Sequence, residues 1–408
     1  MRRTASLALV GASLGLAACS DPVAPPSRPD RLAPSANTTS PPTAQDVFAR
    51  FVALGTSNSM GVQSAGIFAG GQRAAWPAEL ARRAGVPMSL PLVQDPGCGP
   101  PLLPPLASDL VLVAAFGGQS GDLVTAVMNF CTPLQTGITL PTNSVAISGA
   151  NVHDALTMTP ESQLARNVRV GTLYSRVLAP GQTQVTAMLA QNPTFVSVEL
   201  AANEILPAST GRAEAMTPYA DWERDYDQVV AAVRSTGARA VLVGLPSNAA
   251  TFPSIRSSRE FFNQWPSLLA LGITVSLNCY FTSNRLFVPG YLLTLVAKAP
   301  TTATCANVAG AVDYVLTSSD ISAINARMAQ MNAHMQALAT ANGYAYFTLD
   351  AVYALPKPAF SVPNLLFSGT PFGGYISLDG VHPSSAGQSL LAAAAARAID
   401  SAYGLAIP

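Results

Sequence analysis

The feature that most constrains this chain is the alternation of short hydrophobic runs with longer stretches of helical periodicity. Buried strands of a parallel sheet are apolar along their whole length, whereas the helices between them repeat about every 3.6 residues. The alternation therefore predicts an α/β fold with a mostly parallel, five-stranded sheet. The strand candidates are Arg50–Leu54, Ser144–Ile147, Phe195–Leu200, Ala240–Leu245 and Tyr344–Leu349. The helix candidates lie around Trp76–Ala84, Ser162–Leu178, Tyr219–Arg234, Asp320–Ala341 and Ser384–Ala402.

The fourth helix candidate has the clearest period of the five. Its apolar residues fall on one face and are Ile321, Ile324, Met328, Met331, Met335 and Leu338. Ser318 or Ser319 can cap its start, and Asn342-Gly343 predicts its end. A stripe of methionines at helical spacing is more typical of a packed core than of a ligand pocket, and we interpret it as core.

Four polar segments contain residue types that suit acyl transfer. They are Gly55-Thr56-Ser57-Asn58-Ser59, Ser148-Gly149-Ala150, Ala201-Ala202-Asn203-Glu204 and Asp379-Gly380-Val381-His382. A serine on a strand-to-loop turn is a candidate nucleophile, and a later Asp-x-x-His supplies a base together with a carboxylate that orients it. The glycine turn and the asparagine each follow a strand candidate and can aim an N–H at a developing oxyanion. In an open α/β sheet such groups meet beyond the carboxyl ends of the strands.

In their order and placement these segments resemble the sequence blocks of the SGNH (GDSL-type) hydrolases, from about residue 48 to the C-terminus. The resemblance implies that Ser57 is the nucleophile and that Asp379 orients His382 as the base. It implies that the oxyanion is held by Ser57, Gly149 and Asn203. It further implies a three-layer α/β/α, flavodoxin-like domain that hydrolyses carboxylic esters as a serine esterase or lipase, without a cofactor or a metal.

The chain departs from the family pattern at three positions. Thr56 stands where the first block usually has Asp, and Ala201 and Glu204 stand where the third block has Gly and Asp. None of these changes removes a group that handles protons or the oxyanion, so we interpret the chain as a divergent, active member. The ester remains open among lipids, acylated glycans and small soluble esters. Two alternatives also remain open: an acyltransferase acting on envelope glycans, and a non-catalytic envelope lipoprotein with this fold.

His382 has two rivals as the base, because the chain contains three histidines. His334 lies within the fourth helix candidate, which indicates a surface or boundary position. His153 follows the glycine turn and is a candidate for the mouth of the site, although we favour a solvated residue of a first helical turn. Asp350 ends a strand candidate and is the main rival of Asp379. We prefer His382 with Asp379, because this spacing lets the carboxylate meet the Nδ1–H of the ring.

The first residues predict export rather than structure. Two arginines precede an apolar run that ends in Leu16-Ala17-Ala18-Cys19, which resembles a bacterial lipoprotein box. The resemblance implies a signal peptide over residues 1–18 and acylation of Cys19, which would hold the protein at a membrane surface without spanning it. Ser20 rather than Asp after the cysteine favours the outer membrane, facing the periplasm or the exterior. The alternatives are an ordinary secretory signal and a core segment that happens to end in Cys.

Behind the predicted anchor the chain divides into two parts. Residues 19–46 are the lipidated cysteine and a Pro- and Ser-rich stretch without an apolar period, which is typical of an extended tether. Residues 47–408 contain no second break of that kind, so we expect one hydrolase domain with cysteine-containing insertions, acting as a monomer. The formal net charge is zero and only 11% of the residues are charged, which argues against a nucleic-acid partner.

Cysteine use agrees with an exported domain. Besides Cys19 the chain has Cys98, Cys131, Cys279 and Cys305. An even number in an oxidising compartment suggests two disulfides, and nearest-neighbour pairs would each close an irregular stretch, but three pairings fit the sequence. A metal site is discounted, because there is no Cys-x-x-Cys and no neighbouring histidine. The excursions that hold the cysteines, Gly97–Thr142 and Pro246–Thr317, can form walls or a lid over a site, although edge decoration is the expectation for most of their length.

Overall fold

The computed structural model describes residues 42–99, 101–106 and 131–408. From Pro42 onward these residues form one compact unit. The predicted signal peptide, Cys19 and nearly all of the predicted tether lie outside the described residues, as do residues 107–130 of the first cysteine-containing excursion. The domain boundary at residue 47 and the lipid anchor therefore stay predictions.

A sheet of four parallel strands lies at the centre of this unit. The described residues form the strands β1 (Phe51–Gly55), β2 (Phe195–Glu199), β3 (Arg239–Gly244), β4 (Ile255–Ser257), β5 (Ile273–Val275), β6 (Arg285–Phe287), β7 (Thr301–Ala303), β8 (Val315–Leu316) and β9 (Ala345–Thr348). The central sheet has the order β1-β2-β3-β9, with every pair parallel. Four of the five strand candidates therefore occur close to their predicted bounds, and the predicted α/β class with a parallel sheet is confirmed.

The prediction of a five-stranded sheet is wrong by one strand. The candidate Ser144–Ile147 lies parallel to β1, but it forms only one isolated bridge, from Ser144 to Ala53. A second bridge would need the Val145 carbonyl as the acceptor for the N–H of Gly55. That carbonyl instead accepts from the side-chain amide of Gln184 at 2.8 Å, and the same amide also donates to the Gly55 carbonyl. The N–H of Ile147 still donates to the Gly55 carbonyl at 3.0 Å, so the segment follows β1 with an incomplete hydrogen-bond ladder and does not form a fifth strand.

Helices fill the connections between the strands. In the described residues they are α1 (Ala44–Val47), α2 (Ser57–Met60), α3 (Ala69–Ala74), α4 (Trp76–Arg83), α5 (Val152–Thr157), α6 (Pro160–Arg166), α7 (Val168–Tyr174), α8 (Gln184–Leu189), α9 (Ala202–Ile205), α10 (Tyr219–Ser235), α11 (Ser258–Phe262), α12 (Trp265–Leu269), α13 (Asn278–Phe281), α14 (Val288–Val296), α15 (Ser318–Asn342), α16 (Asp350–Tyr353), α17 (Val362–Phe367) and α18 (Ser385–Tyr403). The predicted helix Ser162–Leu178 is instead two helices, because Asn167 between α6 and α7 has an extended backbone. The other four predicted helices are α4, α10, α15 and α18.

The N-cap of the long helix α15 lies one residue before the predicted caps. Thr317, not Ser318 or Ser319, is the N-cap: its hydroxyl accepts from the N–H of Asp320 at 3.1 Å, and the Asp320 carboxylate accepts from the N–H of Thr317 at 2.8 Å. This reciprocal capping box needs an acceptor three residues after the cap, and Asp320 supplies it only for Thr317. The helix ends as predicted at Gly343, whose φ is +65°.

Successive residues of the central strands face two separate hydrophobic cores, as the two-residue period of a strand requires. One core contains Phe51, Phe195, Val241 and Phe347, together with Trp76 of α4 and Leu391 of α18. The other contains Val52, Val196 and Leu242, together with Trp222 of α10 and Met331 of α15. Helices therefore cover both faces of the sheet in a three-layer α/β/α arrangement.

The segment 246–317 adds two small sheets beside the central one. Strands β4, β6 and β8 pair antiparallel, and β5 pairs with β7. One disulfide joins Cys279 to Cys305 within this segment, and the other joins Cys98 to Cys131, so the nearest-neighbour pairing is the one of the three that occurs. In the described ranges no helix has both the length and the apolar character needed to cross a bilayer.

Candidate active site

Ser57 lies where β1 passes into the one-turn helix α2. The strand ends at Gly55, the backbone of Thr56 is extended, and Ser57 is the first residue of α2 with 8% of its surface exposed. A Cβ on Gly55 would lie 2.5 Å from the Ser59 hydroxyl and 3.2 Å from the Glu199 carboxylate. Close approach therefore requires glycine at this strand end, which brings Ser57 to the carboxyl edge of the sheet.

The carboxylate of Glu199 holds this turn from the neighbouring strand. Glu199 ends β2, lies opposite Gly55 in the ladder and is buried. It accepts from the N–H and the hydroxyl of Thr56 at 3.1 and 2.8 Å, and from the N–H and the hydroxyl of Ser59 at 3.2 and 3.0 Å. Burial raises the pKa of Glu199 above its ordinary value, although these four donors act to lower it. One side chain thus fixes the residues on both sides of Ser57.

His382 is held by Asp379 in a buried pair. Nδ1 of the ring lies 2.8 Å from Oδ2 of Asp379. Burial acts to raise the pKa of Asp379, but the charge of His382 and the hydrogen bonds from His382 and Val381 outweigh it, so the pKa lies below its ordinary value. The carboxylate is therefore ionised at neutral pH and favours the proton on Nδ1, which leaves Nε2 as the basic nitrogen.

The Asp379 carboxylate also ties its own loop to the chain segment after α2. Oδ1 accepts from the N–H groups of Val381 and His382 at 2.8 Å each, and Oδ2 accepts from the N–H of Ala65 at 2.6 Å. Ala65 has φ +60°, a left-handed conformation that a residue with a Cβ adopts only when its surroundings impose it. Gly380 has φ +73°, and a Cβ there would lie 2.8 Å from an aromatic ring. The Asp-x-x-His loop is therefore rigidly shaped at both ends.

Two hydrogen bonds join the glycine turn to α9. Asn203 donates its side-chain N–H to the carbonyl of Ala150 at 2.7 Å, and the Glu204 carboxylate accepts from the N–H of Val152 at 2.6 Å. Gly149 lies in this turn with φ +81°, which explains the glycine. The predicted oxyanion donors Gly149 and Asn203 thus belong to neighbouring loops that contact each other.

Glu204 is a buried carboxyl with only part of its hydrogen-bonding capacity used. Oε1 accepts from Val152, whereas Oε2 has no hydrogen-bond partner among the described residues. Burial raises the pKa of Glu204 to about 7, and the negative charges of Asp154 and Glu199 add to the increase. At neutral pH this carboxyl is therefore present in comparable amounts of its charged and neutral forms.

Ser57, Asn203 and His382 line one cavity. Asp379 lies behind His382, while Gly149 does not line this cavity and instead lies in the loop that Asn203 contacts. Within the described residues no hydrogen bond joins the Ser57 hydroxyl to the His382 ring. Such bonds are often long in free enzymes and shorten when substrate binds. Four of the five predicted site residues thus lie in or directly behind this cavity. The fifth, Gly149, lies in the loop that Asn203 contacts.

The rival site residues lie elsewhere. His153 is in the first turn of α5, with its ring 2.9 Å from the Asp225 carboxylate and its side chain 54% exposed. His334 pairs with acidic residues of α10. Asp350 accepts from the N–H and the hydroxyl of Ser247. These three residues do not line the cavity that contains Ser57.

Glu199 is the site residue that the sequence analysis does not identify. The sequence does contain one indication of its role, namely an acidic residue at the end of the apolar run Phe195–Leu200. A buried carboxylate is tolerated only where hydrogen-bond donors surround it. Thr56 supplies two of those donors. An aspartate at position 56 would instead bring a second carboxylate against Glu199, so this departure from the family pattern fits the residue that faces it.

No sequence-family model and no curated protein matches this chain. Among solved structures it is similar to a crystal structure of TesA, with 15% identity over 86% of this chain and 98% of that chain at a TM-score of 0.32. It is also similar to a proposed GDSL-like lipase from Parabacteroides merdae, with 13% identity over 88% of this chain and 97% of that chain at a TM-score of 0.30. TM-scores this low identify neither a fold nor an activity. The fold is therefore inferred from the strands and helices of this chain, and the activity from its site residues.

Proposed function

We propose that this chain hydrolyses carboxylic esters through an acyl-serine intermediate, with Ser57 as the nucleophile. The observation that carries the proposal is the buried pair of Asp379 and His382, 2.8 Å apart, with the ring lining the same cavity as Ser57. An ionised carboxylate that holds an imidazole through Nδ1 is the arrangement that makes Nε2 a general base for a nearby hydroxyl.

In the acylation step, Nε2 of His382 takes the proton of the Ser57 hydroxyl while Oγ attacks the ester carbonyl carbon. The negative charge that forms on the carbonyl oxygen is stabilised by the N–H of Ser57 and by the side-chain amide of Asn203. That amide carries two N–H groups, and donating one to Ala150 fixes the direction of the other. His382, stabilised in its charged form by Asp379, then gives the proton to the departing alcohol.

Deacylation repeats these roles with water. His382 takes a proton from a water molecule that attacks the acyl-serine, and the same donors hold the second oxyanion. The family resemblance implies that the N–H of Gly149 is a further donor. The hydrogen bonds from Asn203 to Ala150 and from Val152 to Glu204 support this role, because they hold the Gly149 loop against α9. No step of this scheme calls for a cofactor.

The direct test is Ser57→Ala with p-nitrophenyl esters as substrates. We expect turnover to fall to background with an unchanged circular dichroism spectrum, because among the described residues the Ser57 hydroxyl makes no hydrogen bond that holds the fold. Ser235→Ala, which removes a hydroxyl from the exposed end of α10, should keep full activity. Retained turnover in a folded Ser57→Ala variant would remove Ser57 from the mechanism. Formation of an acylated sugar in place of free acid, when a sugar is added, would favour the acyltransferase.

We further propose that the enzyme is held at the outer membrane by acylation of Cys19. The support is the Leu16-Ala17-Ala18-Cys19 sequence and the Pro- and Ser-rich stretch that follows it. Mass spectrometry of the mature N-terminus should find acyl chains on Cys19, and Cys19→Ser should leave the protein unlipidated. A mature N-terminus without an acyl chain would exclude this anchor.

A further inference from the structure

The cavity that contains Ser57 and His382 extends along an apolar wall supplied by the segment 246–317. The apolar residues of this segment that line the cavity are Pro246, Ala249, Phe252, Ile255, Phe287 and Leu316, and the polar Ser254 lines it as well. Much of the wall comes from the small antiparallel sheet β4–β6–β8. This sheet is therefore part of the site, whereas edge decoration was the expectation for most of the segment.

The strand register explains why this sheet presents an apolar face to the cavity. Ile255 of β4 lies directly opposite Phe287 of β6, so both side chains project to the same face. Leu316 of β8 lies opposite Arg285, two residues before Phe287, and so projects to that face as well. The alternate residue Leu286 joins the core on the opposite face. The period of two thus divides the sheet between the two hydrophobic cores: Leu286 joins one, whereas Ile255 and Leu316 join the other and also line the cavity.

The helix α15 and the residues after Asn203 supply further apolar lining. Ile324 and Met328 of α15 line the cavity, as do Ile205 and Leu206. The methionine stripe is therefore not core alone, because Met328 also lines the cavity. Met331 is fully packed in the core. Apart from His382, the lining contains no acidic or basic side chain among the described residues. Away from Ser57, Asn203 and His382, the lining therefore offers a substrate chain no charged side chain among the described residues.

We infer that this wall binds the acyl chain of the substrate, which makes esters of linear aliphatic acids the substrate class. The inference rests on the proposed ester hydrolysis at Ser57. The acyl group stays bound through both half-reactions, whereas the alcohol leaves after the first. Burial of an acyl chain can therefore stabilise both transition states, and each methylene buried should raise kcat/KM by up to about fourfold.

Two ester series test which part of the substrate lies in the cavity. In p-nitrophenyl esters from acetate to dodecanoate only the acyl chain changes, and in alkyl acetates from ethyl to octyl only the alcohol changes. We expect kcat/KM to rise steeply along the first series and to stay nearly flat along the second. A flat acyl series, or a rise along the alcohol series alone, would overturn the inference while leaving ester hydrolysis at Ser57 intact.

Matched variants test whether the wall is the site of this preference. Phe287→Ser removes an aromatic ring from the wall, and Phe281→Ser removes one that is 75% exposed in the same segment and outside the cavity. We expect the ratio of kcat/KM for octanoate to that for acetate to fall at least about tenfold in the first variant and to stay unchanged in the second. Equal ratios in both variants would place the preference elsewhere.

A second pair of variants leaves the small sheet β4–β6–β8 unchanged. Leu206 lines the cavity with 42% of its surface exposed, and Leu277 is 64% exposed and outside the cavity. Leu206→Asp places a charge on the wall at a position that tolerates a polar group, so the same ratio should fall, whereas Leu277→Asp is the control. An unchanged ratio in a folded Leu206→Asp variant would count against the inference.

Binding of dodecanoate, measured by calorimetry on the wild-type protein, does not depend on turnover. Saturable binding that Leu206→Asp weakens and Leu277→Asp does not would support the acyl wall even if no ester were hydrolysed, in which case only the proposed reaction would fail. Absence of saturable binding would overturn the inference.

Discussion

Replacing Glu204 by glutamine should make the folded protein less sensitive to alkaline pH. Glu204 is buried, one of its oxygens accepts from Val152, and the other has no partner among the described residues. Burial, reinforced by the charges of Asp154 and Glu199, raises the pKa of its carboxyl to about 7 in the folded state. Glutamine keeps the length of the side chain and the acceptor for Val152 but cannot ionise.

The size of the effect follows from linkage between proton binding and folding. The folded state holds the Glu204 proton more tightly than the unfolded chain, whose carboxyl has the ordinary pKa of 4.5. The contribution to stability is therefore complete below pH 4.5 and is lost as the pH rises through about 7. Between pH 5 and pH 8.5 this loss amounts to about 2.5 kcal/mol of the free energy of unfolding.

Urea unfolding followed by circular dichroism at pH 5 and pH 8.5 measures this directly. From the lower to the higher pH, Glu204→Gln should lose about 2.5 kcal/mol less than the wild type. Comparing the two pH values cancels any constant cost of burying the amide. Glu214→Gln, at an exposed position, should follow the wild type. If Glu204→Gln lost as much stability as the wild type, the carboxyl would be solvated in the folded state and the reasoning would be wrong.

Two further substitutions test the groups around Ser57 and His382. Asp379→Asn should lower kcat by up to about 10,000-fold at neutral pH, because the amide cannot stabilise the charged ring, and near wild-type kcat would show that another group does so. Glu199→Ala should lower both kcat and the free energy of unfolding, the latter by about 1–3 kcal/mol, because the N–H groups of Thr56 and Ser59 would lose their buried acceptor. Unchanged kcat and urea midpoint would show that Glu199 does not position the nucleophile turn.

The strands that the sequence predicts are those whose pairing depends on their own apolar residues. The runs that form β1, β2 and β3 are buried on both faces almost throughout, and every second residue of β9 is buried, so a mainly apolar stretch identifies each strand. The run Ser144–Ile147 is also apolar and donates hydrogen bonds to β1, but its Val145 carbonyl accepts from the side chain of Gln184, so the ladder is incomplete. That contact joins residues 39 apart in sequence, and no local pattern indicates it.

In the site, too, contacts between residues close in sequence could be predicted, and contacts between distant residues could not. Asp379 and His382 are three residues apart, so their contact follows from a local motif that the sequence displays. The apolar wall depends instead on the register that sets Ile255 against Phe287, residues on separate strands of an irregular segment. Glu199 depends on a contact with Thr56 across 143 residues. Such contacts become visible only when the fold is known.

Three buried carboxyl groups, those of Asp379, Glu199 and Glu204, surround the turn at Ser57 and the loops of Gly149 and Asn203, and they differ in their hydrogen-bond partners. Asp379 accepts from five donors, one of them the ring of His382, and its pKa is lowered despite burial. Glu199 accepts from four neutral donors and its pKa is raised, and Glu204 accepts from one and reaches about 7. Of the three, Asp379 is the one whose partner can become a cation, and that charge acts together with the hydrogen bonds to lower its pKa. Only Asp379 is therefore suited to stabilise a charged histidine, whereas Glu199 and Glu204 join strand ends and loops through hydrogen bonds.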